Sequence, residues 1–188
     1  FCSLDLSSFY FDIRKDVLYC DDINSKKRKE CIIVLNIILD CLLKWFAPIF
    51  VFTTEEIFSL LDESENSIHE MSFPEIPQKW KNESLNNKWR DLFRIKQEVN
   101  IAIEEKRASK EIGSSLEADI IIYANEKIFN LLEGLSLEEY FITSKAKKIK
   151  DTNNKLKIDV KKASGTKCPR CWKIVENKCS RCEEVMSK

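Results

Sequence analysis

Four cysteines near the C-terminal end stand in two Cys-x-x-Cys pairs, Cys168 with Cys171 and Cys179 with Cys182. Two residues between thiols let one tight turn aim both sulfurs at a single point, and two such turns complete a tetrahedral thiolate site for Zn²⁺. A four-thiolate site leaves no open position for water or substrate, so the metal is expected to hold structure and take no part in catalysis. Two disulfides are the alternative, which would need an oxidising compartment and leave Cys2, Cys20, Cys31 and Cys41 unexplained. Those four read as small buried apolar residues, Cys31 and Cys41 within an apolar run. The only histidine, His69, is read as incidental.

The net charge of zero hides an asymmetry. Residues 143–188 hold 12 Lys and 2 Arg against 2 Asp and 3 Glu, a surplus of nine positive charges that the rest of the chain balances. A tail of that sign suits a polyanion, since each phosphate neutralised releases condensed counterions; a solvated lysine-rich surface is the plainer reading.

The 188 residues, with only 3 Gly and 4 Pro, are expected to be mostly helical. From Ile32 to Phe52 the chain is apolar enough to resemble a membrane span, but Asn36, Asp40 and Lys44 recur every four residues, forming one wet stripe on a core helix of a bundle. Pro48 should end or kink it, and Thr53 with Glu56 reads as a capping box opening the next helix through Leu61. Residues 62–79 read as a connector. A long helix follows from about Leu85 to Ser109, with Trp89, Leu92, Phe93, Val99 and Ile103 inward, stopped by Gly113.

Alternation of Leu116, Ala118, Ile120 and Ile122 then predicts a strand, and a short helix runs from Glu126 to Glu133 before Gly134. Two more strands are expected near Tyr140 to Lys147 and Lys155 to Lys162, joined through Thr152-Asn153-Asn154. The fold class is mainly α: a helical bundle over residues 1–112, a small α+β unit over 113–163 and a four-cysteine zinc knuckle over 164–188, without internal repeats. A chain that begins Phe-Cys, with no signal peptide, is expected to be cut from a longer cytosolic protein.

Several stretches, in order, resemble the C-terminal part of bacterial-type isoleucyl-tRNA synthetases, a class I aminoacyl-tRNA synthetase family. They are DLSSFYFDIRKD from Asp5 to Asp16 with Leu18-Tyr-Cys20, Ala47-Pro48, FTTEE from Phe52 to Glu56, Trp89-Arg90, Glu98-Val-Asn100, IGSSLEA from Ile112 to Ala118, and KCPRCW from Lys167 to Trp172 with Cys179-Ser-Arg-Cys182. Val51 and Phe58 depart from the family pattern, both as apolar exchanges, and only the seven residues 172–178 join the knuckles, a shorter link than many relatives have.

The resemblance implies a helical anticodon-binding domain, a junction unit and a zinc end that approaches the anticodon stem-loop of isoleucine tRNA. The whole enzyme would activate isoleucine with ATP and Mg²⁺ and transfer it to tRNA, in catalytic and editing domains whose signatures this chain lacks; the handling of valine by this enzyme is a standard example of specificity by editing. A monomer free of the membrane is expected.

Unstacked anticodon bases are met by aromatic or guanidinium planes and by hydrogen bonds. Arg170 and Arg181, each inside a Cys-x-Arg-Cys turn, and Trp172 just after a ligand are therefore candidate RNA contacts, against charge balance for the thiolates and apolar packing respectively. Lys161, Lys162, Lys167, Lys173 and Lys178 read as phosphate neutralisers, and Arg90, beside an inward Trp89, as a further phosphate contact. Arg14, Lys15 and the run Lys26 to Lys29 form a second basic group that could follow the stem. The rival readings are the zinc-finger end of a DNA-repair glycosylase and a zinc-stapled protein-interaction module.

Overall fold

Segregation of apolar residues into two separate cores divides the chain. The computed structural model describes residues 1–61, 66–152 and 155–187, and they form two compact units, residues 1–22 with 83–188 and residues 23–82.

In the first unit, a π-helical segment, Cys2–Phe11, leads into α1, Asp12–Cys20. The long helix α4, Glu83–Ala108, buries Leu92, Ile95, Val99 and Ile103, a stripe at helical spacing. That stripe packs on a three-stranded sheet of order β2-β1-β3, formed by β1 (Ala118–Ala124), β2 (Lys145–Lys150) and β3 (Lys157–Lys162). β1 runs parallel to β2, which follows it through the short helices α5 (Glu126–Leu131) and α6 (Leu137–Tyr140), and antiparallel to β3. Asn125 caps α5 by accepting from the Ile128 amide at 3.0 Å. Alternation along β1 sends Ala118, Ile120, Ile122 and Ala124 into the core. Phe9, Trp89, Phe93 and Tyr140 close its edge as an aromatic cluster with ring centroids 4.4 to 6.3 Å apart. The chain ends in a small hairpin, β4 (Thr166–Lys167) with β5 (Ile174–Val175), and in α7, Ser180–Met186.

In the second unit, α2 (Lys26–Phe46) is capped by Ser25 and followed by α3 (Val51–Leu61). Leu43, Ala47 and Ile68 form its core, with Leu39, Phe58 and Met71 against them. His69 Nε2 lies 3.3 Å from the Val51 carbonyl, a local tie between this turn and α3.

Mainly helical architecture with a small sheet and a C-terminal cysteine cluster is therefore what the sequence predicted, but several local expectations differ. α3 begins at Val51, before the supposed capping box, and it is Thr54 that is buried, its hydroxyl donating back to the Phe50 carbonyl at 2.9 Å. The apolar run on α2 and α3 is not buried on all but one stripe: Ile33, Ile37, Trp45, Phe52 and Leu60 are exposed, because two helices and a turn cannot cover several faces. The long helix ends at Ala108 through Lys110, which takes φ +61°, and not through Gly113.

The strand expected from Tyr140 starts only at Lys145, because Tyr140 closes α6 and residues 141–144 turn, with Ile142 at φ +58°. β2 and β3 do not adjoin each other; β1 lies between them. Within their expected connection, Asn153 and Asn154 lie outside the described residues, as does the start of the connector at 62–65.

Candidate metal centre and nucleic-acid interface

Local geometry brings the four cysteines together. The Cys168 amide donates to the Lys173 carbonyl at 2.9 Å and the Trp172 amide to the Cys168 carbonyl at 3.0 Å, which closes the first knuckle turn. Gly165, at φ +129°, admits this hairpin: a Cβ there would meet the Val175 carbonyl oxygen at 2.2 Å. Cys179 and Cys182 are presented from the start of α7.

The four sulfurs all lie within 4.8 Å of one another, with Cys171 and Cys179 at 3.8 Å. Zinc–sulfur bonds of about 2.3 Å set neighbouring sulfurs of a tetrahedron about 3.8 Å apart, so these donors fit such an ion in both type and spacing. All eight cysteines are free thiols. Burial pushes the Cys171 and Cys182 thiols up, whereas Cys168, despite its burial, is held down to about 7 by the backbone amides of Cys171 and Arg170. Four thiolates so close together need a cation among them. The cluster could hold a metal ion.

The structure ties this end to α1. Arg170 Nη2 donates to the Tyr19 carbonyl at 3.1 Å and Nη1 to the Cys20 carbonyl, satisfying carbonyls that the helix terminus leaves without partners. Arg181 grips Asp16 with both nitrogens, at 2.7 and 2.8 Å, and reaches Asp21 at 3.1 Å. Lys173 Nζ stands 3.5 Å from Asp16. Burial works against the Asp16 carboxylate, but Arg181 and then Lys173 outweigh it and hold its pKa below the usual carboxylate range. Cys20 packs on the cluster as a fifth thiol, pushed up to about 11 by burial and next by Asp16. On the other side, the Ile174 amide donates to Ser144 Oγ at 2.6 Å, and Lys145 pairs with Glu176 at 2.5 Å.

Of the residues singled out as RNA contacts, Arg170, Lys173 and Arg181 are thus turned inward, onto α1. Trp172 instead projects: it is 60% exposed, at φ +64°, with the exposed Lys167 Nζ 5.9 Å from the ring centroid. Lys161 and Lys162 are exposed on β3, Lys161 beside Asp159 at 3.4 Å, and Lys178 pairs with Glu183 at 3.2 Å. Arg90 is exposed on α4, near the aromatic cluster and not at the metal end's ties. A groove of about 1100 Å³, bordered by Lys167, Pro169, Val175, Lys178 and Met186, adjoins the thiols.

Sequence reasoning missed Asp16, Asp21, Ser144 and the Tyr19 and Cys20 carbonyls as partners of the tail. No spacing rule connects positions 30 to 165 residues apart; the only signal is that Asp16 and Leu18-Tyr-Cys20 belong to a stretch resembling the synthetases.

Comparison with known proteins matches residues 1–122 to the anticodon-binding domain of tRNA ligase. The chain belongs to this family. Isoleucine–tRNA ligases align with nearly all of it: that of Pelagibacter ubique is 52% identical over 181 residues, 96% of this chain and 20% of the relative. That of Agrobacterium fabrum is 39% identical over 185 residues, 93% of this chain and 19% of the relative. That of Natranaerobius thermophilus is 36% identical over 210 residues, covering 99% and 23%. The resemblance read from the knuckles and from Asp5 to Asp16 is thereby supported along the chain, which spans about a fifth of the length of these curated relatives. No helix among the described residues is long and apolar enough to cross a membrane.

Proposed function

We propose that this chain is the tRNA-recognising part of an isoleucine–tRNA ligase, and that its metal end, stapled by Zn²⁺ on Cys168, Cys171, Cys179 and Cys182, meets the anticodon stem-loop of isoleucine tRNA. The observation that carries this reading is Trp172: a large ring standing in solvent on a turn fixed by two ligands, beside Lys167, in a chain with an anticodon-binding domain. A rigid aromatic loses little freedom on stacking with an unpaired base, and the adjacent ammonium answers the phosphate.

Arg170, Lys173 and Arg181 serve recognition by positioning, since their donors hold the knuckles to α1. Lys161, Lys162, Lys167 and Arg90 neutralise phosphates. By role, residues 1–112 form the anticodon-binding part, 113–163 the junction and 164–188 the metal end. The complete ligase would be a cytoplasmic monomer that activates isoleucine with ATP and Mg²⁺ and transfers it to tRNA, the catalytic and editing steps belonging to its other domains.

The test is a binding titration with transcribed isoleucine tRNA, an anticodon variant of it and an unrelated tRNA, alongside native mass spectrometry for bound metal. Preference for the cognate RNA, loss of that preference on changing the anticodon, and one zinc per chain are expected. Equal affinity for all three RNAs, or a metal-free chain with full discrimination, overturns the reading.

A further inference from the structure

The two faces of the three-stranded sheet treat their lysines differently. One face carries Ala118, Ile120, Ile122 and Ala124 of β1, and the register adds Ala146, Lys148 and Lys150 of β2 and Ile158, Val160 and Lys162 of β3. Helices α4, α5 and α6 pack on this face. Two of its lysines are answered locally: Lys148 bonds Glu133 and the Phe129 carbonyl, Lys150 lies 3.3 Å from Glu126, and both lie over the Phe129 ring.

The opposite face sets Asp119, Ile121 and Tyr123 of β1 between Lys145, Lys147 and Ile149 of β2 and Lys157, Asp159 and Lys161 of β3. The helices that pack on the sheet do so from the other side, and Lys147, Ile149, Lys157 and Lys161 are exposed. Its acids are engaged: Asp159 is 3.4 Å from Lys161, and Asp119 acts on Lys145, which itself pairs with Glu176. Lys147 and Lys157 contact no carboxylate among the described residues, Lys147 acting only at longer range on Glu176, which Lys145 already holds; Lys157 stands 5.4 Å from the Tyr123 ring centroid, held there by the ring's negative face.

Ile121 and Tyr123 on the central strand with Ile149 beside them, flanked by two ammonium groups, Lys147 and Lys157, that contact no carboxylate among the described residues, match a nucleic-acid strand: the apolar floor takes a ribose or base and the lysines take phosphates. A protein partner fits less well, because lysine is depleted where proteins meet. The face is continuous with the metal end, since β3 passes through Gly165 into β4 and Glu176 beside β5 bonds Lys145.

We propose that this open sheet face is a second contact for the same RNA, gripping the phosphate backbone beside the segment that Trp172 meets. It rests on the tRNA-binding reading above and adds a surface that does not read the anticodon.

The experiment measures affinity of the full chain for transcribed isoleucine tRNA and its anticodon variant across about 50 to 200 mM salt, for the unaltered protein, Lys147→Gln with Lys157→Gln, and Lys147→Arg with Lys157→Arg. The glutamine pair is expected to weaken binding of both RNAs about tenfold and to lower the slope of log affinity against log salt by about 2, at an unchanged melting point. The ratio between the two RNAs stays as in the unaltered protein, and the arginine pair restores affinity. Unaltered affinity and slope in the glutamine pair, or failure of the arginine pair to restore binding, overturns the second contact and leaves the anticodon reading standing. Failure of the unaltered chain to bind either RNA overturns both.

Discussion

Trp172 sits at φ +64°, a conformation that a bulky residue adopts at a cost of about 1 to 2 kcal/mol and that glycine adopts freely. A strained position that keeps a solvent-exposed ring points to work done by the ring. Trp172→Gly is therefore expected to raise the stability of the metal end by about 1 kcal/mol in thermal unfolding, while lowering tRNA affinity by about tenfold through loss of stacking. A less stable glycine variant would show instead that the ring is an apolar lid. Lys96 presents the opposite case, a charge inside: its Nζ donates to the Tyr140 carbonyl at 2.5 Å and faces the Phe9 and Tyr140 rings. Burial pushes its pKa down to about 8, with Asp12 pulling the other way. Between about pH 8 and 10.5 the unfolded chain binds the proton that the folded chain has lost, so stability from this group grows with pH across that window. Lys96→Met should flatten the rise in melting temperature from about pH 7.5 to 10 relative to the unaltered protein; identical pH profiles would show that the lysine is solvated. Periodicity could place position 96 beside the inward stripe of α4 but could not show that a lysine there would be buried.

The element that the metal end depends on is α1, through Asp16 above all. Its carboxylate is held below its ordinary pKa when folded, so the stabilisation it gives is complete above the unfolded value of about 3.9 and is lost as pH falls below that toward the folded value. Asp16→Asn should loosen the metal end from α1 at neutral pH by about 1.5 to 3 kcal/mol, the range for hydrogen bonds to charged groups. Hydrogen exchange at residues 166–175, measured in both proteins at pH 7 where the thiolates keep their metal, checks it; equal protection in the two would mean that Asp21 and the Arg170 bonds suffice. The sequence made the knuckles legible because thiol spacing is local, and the long helix and central strand because burial imposes periods of 3.6 and 2. It did not reveal what Arg170 and Arg181 hold: a guanidinium inside a metal turn looks the same whether it faces RNA or a distant carboxylate. Nor does the pattern show that the second strand begins at Lys145 and not at Tyr140, since the turn through Phe141, Ile142 and Thr143 is set by the tertiary burial of Phe141 and Thr143 and not by a pattern of its own.

At the scale of the whole molecule, two separate cores imply two separable responses to metal. Residues 23–82 close on Leu43, Ala47 and Ile68, whereas the unit of residues 1–22 and 83–188 contains all four cysteines of the cluster together with α1. Metal that binds only the folded site contributes free energy by mass action, about 4 kcal/mol at a free concentration a thousandfold above its dissociation constant. Chelation should therefore lower the melting transition of the first unit and leave that of residues 23–82 in place, which scanning calorimetry with and without chelator reads directly. The effect should extend beyond the knuckles: once the cysteines let go, Arg170 and Arg181 lose the fixed turns that aim them, and the last turn of α1 loses the partners of its carbonyls. Amide exchange at residues 17–21 should accelerate on chelation even though no metal ligand lies within that stretch. Protection there that survives metal removal would show that the arginines hold α1 unaided and that the metal organises only the tip it touches.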